Sequence, residues 1–299
     1  NTTASFNSAF GYYALRLNTT GAVNDAFGYY SLYSNTTGAS NVAMGSRAMQ
    51  FCTTGVKNNA FGRDSLRDVT TGYQNTAIGN EAAHNMTTGH TNTAMGNRSL
   101  QTCTNGTHNT AIGPFSLNVL TSGAYNSTLG LNAGAEVTTG DNNILIGLNA
   151  GRSTSPSGAI STGSNNVVLG DNAIANLFCK VSTIQTSDIR DKTDINDFTY
   201  GLSWVEKLRP ITYRWDMRSN YDDGKPDGSK KEARINLGFI AQEVLEIEKE
   251  HGFASDKDMM LLVNENYDGN YGMKYDRVVP ILVNAIKELS AEVKALKAA

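Results

Sequence analysis

Residues 75–96 read Asn75-Thr-Ala-Ile-Gly79-Asn-Glu-Ala-Ala-His-Asn-Met-Thr-Thr-Gly89-His-Thr-Asn92-Thr-Ala-Met-Gly96. The phrase Asn-x-Ala, a large apolar residue, then Gly returns after 17 residues, with Thr-Thr-Gly between the two copies. Working outward, Gly recurs at 11, 28, 45, 62, 79, 96, 113, 130 and 147. A second Gly series runs at 21, 38, 55, 72, 89, 106, 123 and 140 with the same period. Asn stands four residues before each Gly of the first series, from Asn7 to Asn143. A six-residue insertion around Ser153–Ser157 displaces the tenth copy to Gly163, Asn166 and Gly170.

A unit this short, rich in Gly and Thr, opposes a helical hairpin. Its short runs of Thr, Val and Ile favour strands. The two Gly per unit predict two turns that need φ > 0. The expected fold is mainly β: ten solenoid coils, each of two short strands and two turns. Coils spaced about 4.8 Å apart would form a rod on the order of 45 Å long. No single coil buries a face alone, so stacking carries the stability.

Side-chain size orients the coil. The position two before Gly is Ala at 9, 26, 43, 60, 77, 94 and 111. The next position is large: Phe10, Phe27, Met44, Phe61, Ile78 and Met95 in the first six copies. Successive strand residues face opposite ways. The pattern therefore predicts a thin roll with a small-residue interior and a continuous apolar stripe outside. Such a stripe needs a partner, and identical chains, three in this reading, would supply it. A monomeric solenoid with a hydrophobic interior is the alternative that the period alone leaves open. The repeat resembles the head repeats of trimeric autotransporter adhesins, which form β-rolls; the present unit is longer.

Composition changes sharply near Thr186. Residues 1–186 hold 8 Lys/Arg and 7 Asp/Glu, against 17 and 21 in residues 187–299. Gly falls from 22 to 7 across the same boundary, and both tryptophans, Trp204 and Trp215, lie beyond it. The predicted organisation is a shaft over 1–178, a connector over 179–186, an α/β domain over 187–277 and a C-terminal helix over 278–299. A net charge of −3 gives no basic footprint for nucleic acid. No apolar run approaches the roughly 18 residues of a membrane helix, so no membrane insertion is expected. Three cysteines, Cys52, Cys103 and Cys179, do not make a disulfide framework. Cys52 and Cys103 share a repeat phase three coils apart, roughly 14 Å, beyond disulfide reach. His84, His90 and His108 fall at different phases and read as ordinary surface residues. No metal or other cofactor is expected.

The chemistry lies after the repeats. Residues 186–195 read Thr-Ser-Asp-Ile-Arg-Asp-Lys-Thr-Asp-Ile. Taken alone, Ser187-Asp188 before a charged run reads as a helix N-cap, with Ser187 capping and Asp188 in the first turn. Three later blocks reverse that preference: Gly201-Leu202 through Leu208-Arg209-Pro210 with Tyr213 and Trp215; Gly238-Phe-Ile-Ala-Gln-Glu-Val244; and Tyr275-Asp-Arg-Val-Val-Pro-Ile-Leu282 on through Leu289. With Ser187, Asp188, Arg190, Lys192 and Ile195, these resemble the intramolecular chaperone, or peptidase S74, domain of phage endosialidases, tail fibres and neck appendages. The resemblance runs over 187–299.

That resemblance implies a self-cleaving serine endopeptidase with Ser187 as nucleophile and Lys192 as general base, cutting between Thr186 and Ser187. Asp188 and Arg190 are possible supporting residues. It further implies a virion tail fibre or appendage, assembled in the host cytoplasm, with the shaft as the part that meets a host cell-surface receptor. A lysine in water titrates near about 10.4 and must lose its proton to act as a base. Asp188, Asp191 and Asp194 favour its charged form, and Arg190 opposes them. A spacing of five places Ser187 and Lys192 on different faces of a helix or a strand; they can meet across a turn or between protomers. Both points predict a site completed on assembly.

Gly238–Val244 reads as a strand turning into a core helix. Gln242 and Glu243 there lack a partner in sequence. Trp204, Tyr213 and Trp215 are the expected core of the small domain. Asp268-Gly-Asn predicts a hairpin turn. At the end, Val279, Leu282, Ile286, Leu289, Val293 and Leu296 are spaced as a heptad seam, and one helix packed on its own domain is the alternative. β-branched residues with Leu favour two strands by rule; three is preferred because the seam is short and the resembled family and roll are trimeric. Two rival functions are a bacterial adhesin stalk and a membrane-tethered transcription factor. The second needs a DNA-binding domain that a Gly/Thr/Asn solenoid does not supply. A trimerisation module without cleavage is a further alternative. Residues 1–186 contain no carboxylate pair suited to glycoside hydrolysis.

Overall fold

Ten three-residue strands, β1 (Ser8–Phe10) through β10 (Val167–Leu169), stack in chain order as one parallel sheet. Residues 17 apart pair directly, as Ala60 with Ala77 and Phe61 with Ile78. The insertion leaves the ladder intact: β10 pairs with β9 (Ile144–Ile146) through Val167 and Ile144. The computed structural model describes residues 3–178, 187–266 and 269–298. It divides into two units, Asn1–Ala175 and Asn176–Ala299.

Each coil has one strand, not the two expected, and backbone conformation explains why. Three positions per coil turn left-handed. In the third coil they are Arg47 (φ 60), Met49 (φ 48) and Lys57 (φ 58). A left-handed residue cannot continue an extended run, so only the residues just before Gly stay straight. Each such residue costs roughly 1 kcal/mol or more. Bonds between coils offset it: Arg47 N–H donates to Tyr29 O at 2.7 Å, Met49 N–H to Ser65 O and Lys57 N–H to Ala39 O, both at 3.0 Å.

The two Gly series also differ in cause. Gly62, of the first, has φ +134. Gly72, of the second, does not lie in the left-handed region; it is Gly because a Cβ there would sit 2.5 Å from Gly89 O of the next coil. Close packing, rather than φ > 0, selects the second series.

The interior is not made only of small residues. Ala26, Ala43, Ala60, Ala77, Ala94 and Ala111 are buried on the strand side, as the alternation predicts. Opposite them stand buried Leu32, Met49, Leu66 and Leu100, then a column of Cys52, Val69, Met86, Cys103 and Leu120. The larger side chains fill the width that turns impose. Outside, the stripe remains in solvent: Phe27 is 40% exposed, Met44 42% and Ile78 38%.

The repeated Asn is buried, and its side chain runs a ladder down the shaft. Asn75 Nδ2 donates to Gly89 O at 2.8 Å and to Asn58 Oδ1 at 3.1 Å. Asn75 Oδ1 accepts from Asn92 N–H at 3.0 Å and from Asn92 Nδ2 at 3.1 Å. Buried polar groups require such partners. Asp has no donor at Nδ2 and Ser is too short to span both, so the repeat uses Asn.

His90 and His108 meet despite their different phases. The rings of Tyr73, His90, His108 and Tyr125 form a continuous surface row with centroids 4.5, 5.3 and 4.9 Å apart, the outer two pairs stacked and the two histidines edge-on. Cys52 and Cys103 are free and buried; Cys179 lies outside the described residues.

The second unit packs around α1 (Leu202–Val205), α2 (Ala241–Glu250) and α3 (Val278–Ala298). Its core joins Trp204, Val244, Ile247, Leu262, Val263 and Ile281. Strands β11 (Ile211–Tyr213) and β12 (Asn236–Gly238) pair antiparallel, as do β13 (Val263–Glu265) and β14 (Tyr271–Met273). The strand-to-helix reading of 238–244 holds, since β12 leads into α2. The predicted hairpin turn begins on Asp268, which lies outside the described residues. Trp204 is fully buried as expected, but Trp215 is half exposed and stacks edge-on to Tyr213 outside the core.

α3 separates its two faces. Val278, Ile281 and Ala285 are buried against its own domain. The heptad positions Val279, Leu282, Ile286, Leu289, Val293 and Leu296 all remain exposed. No described helix is long and apolar enough to cross a membrane.

Candidate functional site

One turn of 3-10 helix, Ile189–Asp191, sets the geometry of the Ser187–Lys192 segment. Asp188 enters it extended (φ −72, ψ 135), and its Oδ1 accepts from Arg190 N–H at 2.9 Å. Lys192 leaves it extended (φ −116, ψ 139), its N–H donating to Ile189 O. Asp188 therefore caps the turn, where the segment taken alone suggested Ser187 and the later blocks set that cap aside. Freed from capping, Ser187 Oγ accepts from Lys192 Nζ at 2.7 Å. A spacing of five, unsuited to a helix or a strand, closes across this turn within one chain.

Electrostatically the segment is divided. The Arg190 guanidinium engages both oxygens of Asp188, with Nη2 to Oδ2 at 2.6 Å and Nε to Oδ1 at 3.0 Å. That guanidinium, together with the Arg190 N–H, holds the Asp188 carboxyl below the usual carboxylate range, and the carboxylate in turn raises Arg190. Ser187 and Lys192 are both exposed. Thr186 lies outside the described residues. Among the described residues, no cluster of three His, Cys, Asp or Glu side chains could hold a metal.

The rest of the unit contains devices that the sequence reading missed. Glu248 of α2 is fully buried. Its carboxylate accepts from the N–H groups of Leu261 at 2.8 Å, Leu262 at 2.6 Å and Val263 at 2.9 Å, pinning the approach to β13. Its signal was a Glu three and four residues after Leu245 and Val244 on the apolar face of α2. Glu243 does have a partner, Arg209, 34 residues earlier. Gly201 lies under α3, where a Cβ would meet Ala285 N at 2.5 Å, and Leu202 N–H donates to Glu288 Oε2 at 2.6 Å. A Cβ on Gly238 would collide with the Tyr275 hydroxyl, to which Phe239 N–H donates at 3.2 Å. The motif blocks are thus spatial neighbours, each glycine seated under a residue from another block.

Residues 187–253 match the model of the peptidase S74 family, the chaperone of endosialidase. This segment is similar to the S74 chaperone domain. The match opens on Ser187 and closes just past α2, so it is shorter than the resemblance read over 187–299. The third block and α3 lie beyond it. No curated protein and no solved structure matches the chain. Within the matched segment, the turn that joins Ser187 to Lys192 stands at the first residues.

Proposed function

We infer that this chain belongs to a phage-type tail fibre or appendage, in which the S74-like domain assembles three chains and is then released by its own cut. The observation that carries this reading is the 2.7 Å contact between Lys192 Nζ and Ser187 Oγ at the first residue of the S74 match. The unpartnered stripe of the shaft and the exposed seam of α3 support assembly from identical chains. Registration matters for such a shaft, because slipping by one coil preserves nearly every pairing. A seam at the C-terminus fixes the register before the coils zip, and removing the chaperone then makes assembly irreversible, giving a kinetically stable product.

In the cut, Ser187 Oγ attacks the carbonyl carbon of Thr186 and its proton passes to Lys192 Nζ. The bond from that carbonyl to the Ser187 nitrogen breaks, and the nitrogen takes the proton back as an amine. Water then hydrolyses the ester between Thr186 and Ser187 Oγ, leaving a Thr186 carboxylate and the restored hydroxyl. Both partners are exposed in the single chain, so contact is available before assembly and dehydration is what assembly must add.

Intact mass after expression tests this. The expected result is two fragments meeting between 186 and 187, whose masses together exceed the uncut chain by one water. Ser187→Ala and Lys192→Ala should each yield one uncut chain. A wild-type trimer that stays whole would leave the trimerisation module without cleavage as the function.

A further inference from the structure

We propose that Arg190 is a positioning residue for the cut, which occupies the Asp188 carboxylate so that the acid beside the nucleophile cannot pin Lys192 as an ammonium ion. The inference rests on the Ser187–Lys192 reading above and assigns a role within it. A lysine serves as base only in its neutral form, and a nearby free carboxylate favours the charged form. Asp188 adjoins the nucleophile and precedes Lys192 by four residues, across the turn. Yet Lys192 Nζ bonds Ser187 Oγ, not this carboxylate. Arg190 occupies that carboxylate: it takes Oδ2 at 2.6 Å through Nη2 and at 3.2 Å through Nε, and Oδ1 at 3.0 Å, while its own N–H takes Oδ1 at 2.9 Å.

The fork geometry suits this task, because guanidinium matches a carboxylate with two parallel bonds and stays charged at every relevant pH. The other charged groups of the segment are Asp191 and Asp194. Both are exposed, and neither forms an ion pair among the described residues. Asp188 is thus the acid that is both beside the serine and actively occupied. Because the pair also holds the turn, Arg190 contributes to the approach of Ser187 and Lys192 as well as to their charge balance.

The test is the pH dependence of cleavage in the full chain, followed by intact mass from about pH 6 to about pH 10. Arg190→Gln should move the rising limb toward higher pH by about one unit, slowing cleavage about tenfold near neutrality, with rates converging at high pH. Asp188→Asn keeps the oxygen that caps the turn but removes the charge. Alone, it should leave the limb unmoved or shift it to lower pH. Combined with Arg190→Gln, it should restore the wild-type limb. Trimer content, measured for each variant, separates misassembly from chemistry. A loss of rate at all pH values with an unmoved limb, or a double variant no better than Arg190→Gln, overturns the inference. Wild-type cleavage that ignores Lys192→Ala overturns the dyad itself, and this role with it.

Discussion

At the scale of residues, the shaft depends on side chains with no substitute. Asn75 satisfies Gly89 O, Asn58 Oδ1 and the Asn92 N–H together, in a site water does not reach. Asn75→Ala should therefore cost about 3 kcal/mol or more, since each orphaned buried group carries about 1–3 kcal/mol; chemical denaturation of the shaft measures it. The cysteines make a second case. Burial pushes the Cys52 thiol up to about 12 and Cys103 to about 11, from an ordinary 9.0. Near pH 8, in a Cys179→Ser variant, Cys52 and Cys103 should react with a thiol reagent at least about a hundredfold more slowly in the native protein than in the denatured chain. The sign of the stability effect follows. A raised value leaves stability intact below the unfolded thiol's range, and the shaft loses it as pH climbs from about 9 toward about 12, because only the unfolded thiols ionise freely.

At the scale of elements, the coil is the unit of stability. Its backbone bonds run to the coils above and below, as when Thr53, Thr54 and Gly55 all donate to Thr70 O. Removal of residues 75–91 takes out one whole period and should leave a cooperatively folded shaft shorter by about 4.8 Å. Removal of 75–83 alone should break the shaft's unfolding into two transitions, because the eight residues left of that coil cannot span it while the coils on either side keep their own pairing. Circular dichroism melting distinguishes the two. The coil also shows how far sequence reading reached. Its period and the Ala-inside, large-outside alternation were legible because they are repeated at one fixed offset. The second predicted strand was wrong, since Arg47, Met49 and Lys57 carry no sequence mark of left-handed geometry. The turn that joins Ser187 to Lys192 was foreseen only as a possibility, and Asp188 rather than Ser187 caps it.

At the scale of the whole molecule, two apolar surfaces lack partners: the shaft stripe and the α3 seam. Ile286 is 66% exposed, so Ile286→Glu should leave the fold of a single chain unchanged. In a three-chain seam it would bury three like charges in one layer. Loss of the trimer in light scattering, with cleavage lost alongside, is the expected result, and Lys287→Glu on the same helix should change neither. The face of α3 that is buried against its own domain, through Val278, Ile281 and Ala285, remains free to hold the domain together.

By itself, the sequence determined that the shaft repeats every 17 residues, which strand face turns inward and which residue opens the S74 match. Each of these is carried by local order or by a fixed offset along the chain. Tertiary structure alone decided that buried Asn side chains bridge the coils beside the backbone ladder, that the second glycine series exists for closeness and that Glu248 anchors three amides. It also decided that Arg190 holds Asp188 while Lys192 reaches Ser187. These outcomes turn on distances between atoms whose separation along the chain is unrelated to their separation in space, and a few tenths of an ångström choose among partners of equal chemical merit.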